Sequence, residues 1–436
     1  MLVVIVSRGL ASAKMTAEIA IANSGAVALA ADSAVTISGG KVYNSALKLF
    51  ALSKVHPVGV MVYGSADFLG IPWETLIKNF RQELGSKEFN SLNEYADAFF
   101  AYLEGHGGPS LPNYQADFAK SKAQGFFEYI RNLYLDAIRG LPAGSQISEV
   151  ESQVLFMDIV QRLRSDFLKA PFADGFTDGH VETFRSSESG QLRAIAQVVF
   201  ENVIAPDALE EVVVDVGILC LFKRISGPFP LSGLVFAGYG KADFFPVITS
   251  YEVDGMLCGR VKKTLDTARS AVISRSQPCS IIPFAQDDMA MTFIKGIDPF
   301  LENMLVAGSS ELMQRLFESE DLLALEKENL DGFKKHAELL LAAFKGQVQS
   351  HMRDAYVEPV MSMACVLPKN ELASMAEALV SLTAFKRRVT HSSETVGGPI
   401  DVAVISKCDG FVWVKRKHYF PAELNQHFFA NYYRGF

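Results

Sequence analysis

Three polar residues near the start of the chain have side chains that together suit nucleophilic chemistry. Thr16, Asp32 and Lys48 follow one another at a constant spacing of 16 residues. A threonine hydroxyl is a weak nucleophile at neutral pH and needs a base to take its proton. A nearby ammonium group favours the alkoxide, and a carboxylate keeps that ammonium charged and oriented. The pattern therefore suits a hydroxyl nucleophile supported by a carboxylate–ammonium pair.

The residues around these three predict short strands followed by a helix. Two apolar runs, Thr16 to Ala22 and Ala26 to Ala31, are joined by Asn23-Ser24-Gly25, which indicates a hairpin. A third run, Val58 to Tyr63, ends at Gly64, and the apolar spacing after it predicts a helix from Ser65 to Leu84. The candidate residues are thus expected at strand ends.

The middle of the chain predicts helices and then further strands. Residues 118–203 read as three helices interrupted by polar loops such as Ser186 to Gly190, and Leu209 to Phe222 fits either a helix or a buried strand. Val253-Asp254-Gly255 indicates a turn between two later strands. The order of strands, helices and strands predicts an α+β fold.

With these elements in place, the chain resembles the catalytic proteasome β-subunits and their bacterial ring-protease relatives, within the N-terminal-nucleophile (Ntn) hydrolase superfamily. The resemblance is carried by four motifs: Thr16-Ala17-Glu18-Ile19, Ala30-Ala31-Asp32-Ser33, Ser45-Ala46-Leu47-Lys48-Leu49 and Gly64-Ser65-Ala66-Asp67. It implies a distant bacterial proteasome-type protease with large helical insertions. The implied fold is a four-layer αββα Ntn-hydrolase sandwich.

The resemblance also implies a role for each catalytic residue. Thr16 would be the N-terminal nucleophile, and its own α-amino group, which titrates near ~7.7–8.0, would serve as the base. Lys48 would stabilise the alkoxide, with Asp32 as its partner. A backbone N–H near Tyr63 and Gly64 would stabilise the oxyanion.

Other residues are expected to bind substrate or support the site. By resemblance, the pocket for the residue before the scissile bond is lined by Ala46, Phe50, Met61 and Ser65, which predicts a preference for apolar side chains. The possible supporting residues are Ser33, Ser393 and Glu394. Two positions depart from the family pattern: its Gly-Ser-Gly serine is missing from residues 283–288, and its Asp-x-x-Ser-Gly-Gly motif is altered at residues 393–398.

Residues 1–15 decide whether Thr16 can act as an N-terminal nucleophile. They are expected to be a propeptide or the result of a misassigned start. We favour translation from Met15, because the initiator methionine is trimmed before a small residue such as threonine. The remaining chain is expected to contain a proteasome-like core (16–104, 230–290 and 365–436) and two helical insertions (105–229 and 291–364).

Composition and charge exclude several classes of protein. The 436 residues include 41 Lys and Arg against 49 Asp and Glu, a net charge of −8, which argues against nucleic-acid binding. No apolar run reaches the ~18–20 residues of a membrane span. The 5 cysteines are scattered and read as reduced thiols of a cytoplasmic protein. Metal and cofactor motifs are absent, so none is expected.

The resemblance implies a threonine-type endopeptidase that hydrolyses peptide bonds and assembles into a homo-oligomeric ring, with a peptide or protein substrate. The sequence does not identify an unfoldase partner. Two alternatives stay open: a catalytically inactive scaffold subunit of the same fold, and a small-molecule Ntn amidohydrolase or acylase.

Overall fold

The computed structural model describes most of the chain between Thr16 and Tyr433. The described residues are 16–37, 41–105, 112–141, 147–201, 203, 207–225, 231–319, 327–390 and 397–433. The predicted leader, residues 1–15, lies outside them.

The described strands are numbered in chain order. They are β1 (Ala17–Asn23), β2 (Val27–Ala31), β3 (Val35–Ile37), β4 (Lys41–Tyr43), β5 (Leu49–Ala51), β6 (Val58–Gly64), β7 (Asp67–Phe68), β8 (Ile71–Pro72), β9 (Ser232–Gly238), β10 (Val247–Leu257), β11 (Arg260–Val272), β12 (Cys279–Ala285), β13 (Asp401–Ser406) and β14 (Gly410–Lys415).

The α-helices are numbered in the same way. They are α1 (Trp73–Leu84), α2 (Leu92–Gly105), α3 (Pro112–Arg139), α4 (Glu149–Lys169), α5 (Asp178–Val199), α6 (Asp207–Phe222), α7 (Asp288–Lys295), α8 (Pro299–Phe317), α9 (Lys327–Met352), α10 (Glu358–Val366), α11 (Lys369–Val389) and α12 (Gln426–Tyr433). A π-helical turn, Arg353–Val357, links α9 to α10, and a 3₁₀ turn, Ala422–Leu424, precedes α12.

The first sheet has five strands in the order β12-β1-β2-β13-β14, and all the pairings are antiparallel. Every residue of β1 and β2 is buried. Because side chains alternate along a strand, Ala17, Ile19 and Ile21 of β1 share one face, and they join a buried cluster with α11. Residues 18, 20 and 22 therefore point to the opposite face.

The second sheet has the strand order β11-β10-β9-β6-β5. Its edge strand β5 pairs antiparallel with β6, with Phe50 opposite Val60. Two further pairs, β3–β4 and β7–β8, are short and antiparallel. The predicted α+β class is confirmed at this level.

The chain divides into two compact units. Among the described residues, one unit contains Val62–Phe236 and Thr249–Ser270, and the other contains residues 16–61, Ala237–Ile248 and residues 271–433. In the first unit, helices α3 to α6 pack around a large apolar cluster rich in phenylalanine. The predicted core and insertions stay a prediction.

Three local predictions differ from the structure. The helix predicted from Ser65 begins at Trp73, because β7 and β8 form a small hairpin before it, with Gly70 at φ +79° in the turn. Residues 186–190 continue α5, since their polar side chains lie on its solvent side while Phe184 and Leu192 are buried. Leu209 to Phe222, which the sequence left open, is helical.

The predicted turn at residues 253–255 is replaced by continuous strand. Gly255 lies within β10, and a Cβ there would come within 2.2 Å of the Phe118 ring. This glycine therefore permits a close approach between a helix and a strand. The chain reverses instead at Cys258 and Gly259, both of which have positive φ.

Among the described helices, none combines the length and the apolar character needed to cross a membrane.

Candidate active site

The β1–β2 hairpin brings Asp32 beside the start of β1. In the antiparallel register Glu18 lies opposite Ala31, so the next residue, Asp32, falls beside Ala17. Asp32 N donates to Ala17 O at 3.1 Å, and Ala17 N donates to Asp32 Oδ1 at 3.1 Å. The strand pairing thus fixes the Asp32 carboxylate next to the backbone that follows Thr16.

Lys48 reaches the same carboxylate from the residue before β5. Its ammonium donates to Asp32 Oδ1, and both side chains are buried. Asp32 Oδ2 accepts from Gly397 N at 2.9 Å. Buried ion pairs need such additional hydrogen bonds, because burial removes the water that would otherwise solvate the charges. The predicted Asp32–Lys48 pair is therefore present in the structure.

Glu18 connects Thr16 to this pair. Thr16 and Glu18 are two residues apart, so their side chains lie on the same face at the start of β1. Thr16 Oγ1 donates to Glu18 Oε2 at 3.0 Å, and Lys48 Nζ lies 3.1 Å from Glu18 Oε1. A continuous series of contacts thus runs from the Thr16 hydroxyl through Glu18 and Lys48 to Asp32.

The protonation of Glu18 is set by its burial. The side chain is removed from water, and this raises its pKa from an ordinary 4.5 to about 7. The Lys48 ammonium opposes the rise, whereas the negative charge of Asp32 adds to it. The carboxyl group nearest to Thr16 therefore titrates close to neutral pH.

The predicted supporting residue Ser33 contacts the segment before β13. Its hydroxyl donates to Pro399 O, and its backbone N–H donates to Gly397 O at 3.1 Å. Gly398 has φ +77°, and a Cβ there would come within 2.8 Å of Asn44. Ser33 is thus tied to this segment. The other two supporting candidates, Ser393 and Glu394, lie outside the described residues.

A second buried ion pair lies close to the first. Lys417 Nζ donates to Asp401 Oδ2 at 2.6 Å, and the same aspartate accepts from Lys417 N at 2.8 Å. Burial lowers the pKa of Lys417, which also experiences the charges of Lys48 and Asp32. The electrostatics of the candidate site therefore involve both pairs.

The residues predicted to form the oxyanion site belong to the other compact unit. Gly64 has φ +80°, and a Cβ there would lie 2.0 Å from Leu231 O, so only glycine fits. Ser65 N donates to Leu231 O at 3.1 Å. Burial raises the pKa of Tyr63, whose ring fills the space beside Gly233. The role of Tyr63 and Gly64 in oxyanion binding stays a prediction.

The predicted pocket residues differ in exposure. Phe50 and Met61 are buried on the paired strands β5 and β6, whereas Ala46 and Ser65 are half-buried. Ala46 N donates to Ser33 O at 3.1 Å, which holds this part of the chain beside the residue after Asp32. Their contact with a substrate stays a prediction.

Glu18 is the main residue whose role sequence reasoning missed. The signal was a single carboxylate inside the apolar run Ala17 to Ala22, where a charged residue needs a partner. The sequence also gave no sign of the Asp401–Lys417 ion pair, because it joins the first residue of β13 to a residue that follows β14. Gln286, in the region where the resemblance led us to expect a serine, donates its backbone N–H to Thr16 O at 3.0 Å.

The described residues contain no group of three or more His, Cys, Asp or Glu side chains placed to hold a metal ion.

Comparison with solved structures finds similarity to the "Helical Assembly of the Anbu Complex from Pseudomonas aeruginosa". The match covers 95% of this chain and 93% of that chain, at 8% sequence identity and a TM-score of 0.26. A TM-score this low carries no argument about fold or function. No protein-family model matches the chain, and no curated protein sequence matches it significantly.

These findings correct one prediction. The assignment to the proteasome β-subunit-like Ntn-hydrolase family, as a distant bacterial proteasome-type protease, is wrong, because no family model or curated sequence supports it and the structural likeness is too weak. The function must therefore be argued from the geometry around Thr16.

Proposed function

We propose that this protein is a threonine-type amide hydrolase that cleaves peptide bonds, with Thr16 as its nucleophile once residues 1–15 are removed. The observation that carries the proposal is the series of buried contacts from Thr16 Oγ1 through Glu18 to Lys48 and Asp32. A purely structural threonine does not require a buried carboxylate on its hydroxyl that is itself paired with a buried ammonium.

Each group has a role that its position supports. The Thr16 oxygen attacks the carbonyl carbon, and the Lys48 ammonium stabilises the negative charge that develops nearby. Asp32 holds Lys48 in place and, through Ala17 N, fixes the backbone next to the nucleophile. The sequence predicts the freed α-amino group of Thr16 as the acceptor of the hydroxyl proton.

The proposed substrate has an apolar residue before the scissile bond. Ala46, Phe50 and Met61 are apolar, and Phe50 and Met61 belong to adjacent paired strands. We place the substrate side chain against these three residues. The four-layer αββα arrangement and the cytoplasmic location belong to the same proposal.

Self-association of the chain is supported by the surface of α8 and α9. Neither Phe300, at 70% exposure, nor Leu312, at 71%, is covered within the described chain, and α9 exposes Leu339, Leu340 and Phe344. Many exposed large apolar side chains on two helices are typical of protein interaction sites. In residues 118–203, most large apolar side chains pack into the core of their own unit, although Val150, Val154 and Val198 are exposed. We therefore place the contact of the proposed homo-oligomer at α8 and α9.

Turnover by Thr16 variants tests the proposal. Thr16→Ala should abolish hydrolysis of fluorogenic peptides that carry an apolar residue before the cleaved bond. Thr183→Ala, which removes an exposed hydroxyl bonded to Gly179 O on α5, is the matched control and should keep full activity. Full turnover by the Thr16→Ala variant would refute the proposed nucleophile.

A further inference from the structure

The carboxyl group of Glu18 is already in contact with the hydroxyl that the proposed function uses. Glu18 Oε2 accepts the Thr16 Oγ1 hydrogen bond at 3.0 Å, a distance within the range for direct proton transfer. The Glu18 residue is 2% exposed and Thr16 is 4% exposed. Little bulk water therefore competes for this hydroxyl proton.

We infer that Glu18 is the general base that takes the Thr16 hydroxyl proton during nucleophilic attack. This inference rests on the proposed function, and it assigns the hydroxyl proton to Glu18 in place of the α-amino group of Thr16. The α-amino group is not needed as the base, because the Glu18 carboxylate accepts a hydrogen bond directly from the reacting oxygen, Thr16 Oγ1.

The charges around Glu18 suit this role. Lys48 contacts the other carboxylate oxygen at 3.1 Å, which orients Oε2 toward Thr16 and limits the cost of the ionised form. Asp32 shares the same ammonium and opposes a second negative charge. Burial raises the pKa of Glu18 to about 7 against the opposing charge of Lys48, and a base with such a pKa is most effective at neutral pH.

The proton can be followed through both halves of the reaction. The Oγ1–H bond breaks as Oγ1 bonds to the carbonyl carbon, and the proton moves to Glu18. When the C–N bond breaks, Glu18 returns that proton to the leaving nitrogen and an ester on Thr16 remains. Water then attacks the ester while Glu18 takes its proton, which finally returns to Oγ1 as the acid product leaves.

Acylation of Thr16 by a β-lactone tests the role directly. The native protein is treated with the lactone between pH 5.5 and 8.5, and the adduct is followed by intact mass and located on Thr16 by peptide mapping. The native protein should acylate faster as pH rises through about 7. Glu18→Gln keeps an oxygen that can accept the Thr16 bond but removes the base, so acylation should slow by about 10²–10⁴-fold and lose that pH dependence.

Two further variants separate the outcomes. Glu377→Gln is the matched control and should behave as the native protein does. Glu377 lies on α11 and pairs with Lys415. Glu18→Asp keeps a carboxyl group, so its acylation rate should still rise with pH, but acylation should be slower than in the native protein. If Glu18→Gln acylates within about 3-fold of the native rate at every pH, Glu18 is not the base. If the native protein is not acylated at Thr16, the proposed nucleophile itself fails, and this role fails with it.

Infrared spectroscopy gives a test that does not depend on a folded Glu18→Gln variant. The native protein should show a carboxylic-acid carbonyl band that disappears as pH rises through about 7, and Glu18→Asp should shift it. Absence of any carboxyl group titrating in that range would also overturn the inference.

Discussion

Lys48 Nζ lies 3.1 Å from Glu18 Oε1, although the same ammonium also binds Asp32. One buried cation is thus shared between two carboxylates. Because the three groups would carry one excess negative charge if all were ionised, burial favours the protonated form of one carboxylate. This arrangement gives Thr16 a hydrogen-bond partner that titrates near neutral pH.

The stability of the protein should fall between pH 4.5 and pH 7 because of Glu18. Its pKa is about 7 in the folded protein and 4.5 in an ordinary environment, so the folded state binds more protons in this interval. The stabilisation is complete below pH 4.5 and is lost as pH rises through 7. At about 1.4 kcal/mol per pKa unit, the loss is on the order of 3 kcal/mol.

Urea unfolding of the native protein and Glu18→Gln at pH 5 and pH 8 measures this effect. The variant lacks the titrating group, so its free energy of unfolding should not fall with pH as that of the native protein does. The difference, variant minus native, should therefore increase from pH 5 to pH 8. An identical pH dependence in both proteins would mean that the Glu18 pKa is not raised.

Replacing Lys48 should destabilise the fold strongly. Lys48→Met leaves Asp32 and Glu18 buried without their cation, which is expected to cost about 3–5 kcal/mol at pH 8. Lys415→Met is the control, because Lys415 pairs with Glu377 near the surface and its loss should cost less than about 1 kcal/mol. Equal midpoints for the two variants in chemical denaturation would contradict the burial of the Lys48 charge.

Gly64 should tolerate no side chain. Gly64→Ala combines a positive φ with a Cβ placed 2.0 Å from Leu231 O, and we expect a loss of about 3 kcal/mol or more. Gly70 has nearly the same φ, +79°, but a Cβ there meets nothing within 4 Å. Gly70→Ala should therefore cost only about 1–2 kcal/mol, the backbone contribution alone. Thermal unfolding that ranks the two variants equally would exclude the close approach at Leu231.

The apolar surface of α8 and α9 should determine the oligomeric state. The double variant Phe300→Glu, Leu312→Glu places two charges on this surface and should shift the protein to a smaller species in light scattering. Phe244→Glu changes a side chain outside these two helices that is 90% exposed, and it should leave the mass unchanged. If the double variant keeps the native mass, the contact lies elsewhere.

The Asp32–Lys48 pair was predicted from the resemblance, whereas the hairpin that positions Asp32 was predicted from strand periodicity and turn residues, which are local signals. Asn23-Ser24-Gly25 specifies the β1–β2 hairpin, and its register then brings Asp32 next to Ala17. The same local reasoning predicted three helices in residues 118–203, where the structure has α3, α4 and α5. These features depend on neighbouring residues in the chain.

Features that depend on distant contacts were not predicted. Gly255 resembled a turn residue, but it is strand because Phe118 occupies the space that a side chain would need. Glu18 gave a visible signal, yet its role became clear only when Lys48 was found beside it. The family assignment failed for a different reason, since short motifs at matching spacing are not sufficient evidence of common descent.

The central claim is that Thr16 becomes the N-terminal residue and acts as the nucleophile. The most direct measurement is the intact mass of the native protein before and after treatment with a peptide epoxyketone, which reacts with both the hydroxyl and the free amine of an N-terminal threonine. We predict a chain that begins at Thr16 and gains one inhibitor molecule on that residue. A fully active protein whose mass still includes residues 1–15, or one whose Thr16 stays unmodified, would contradict the account.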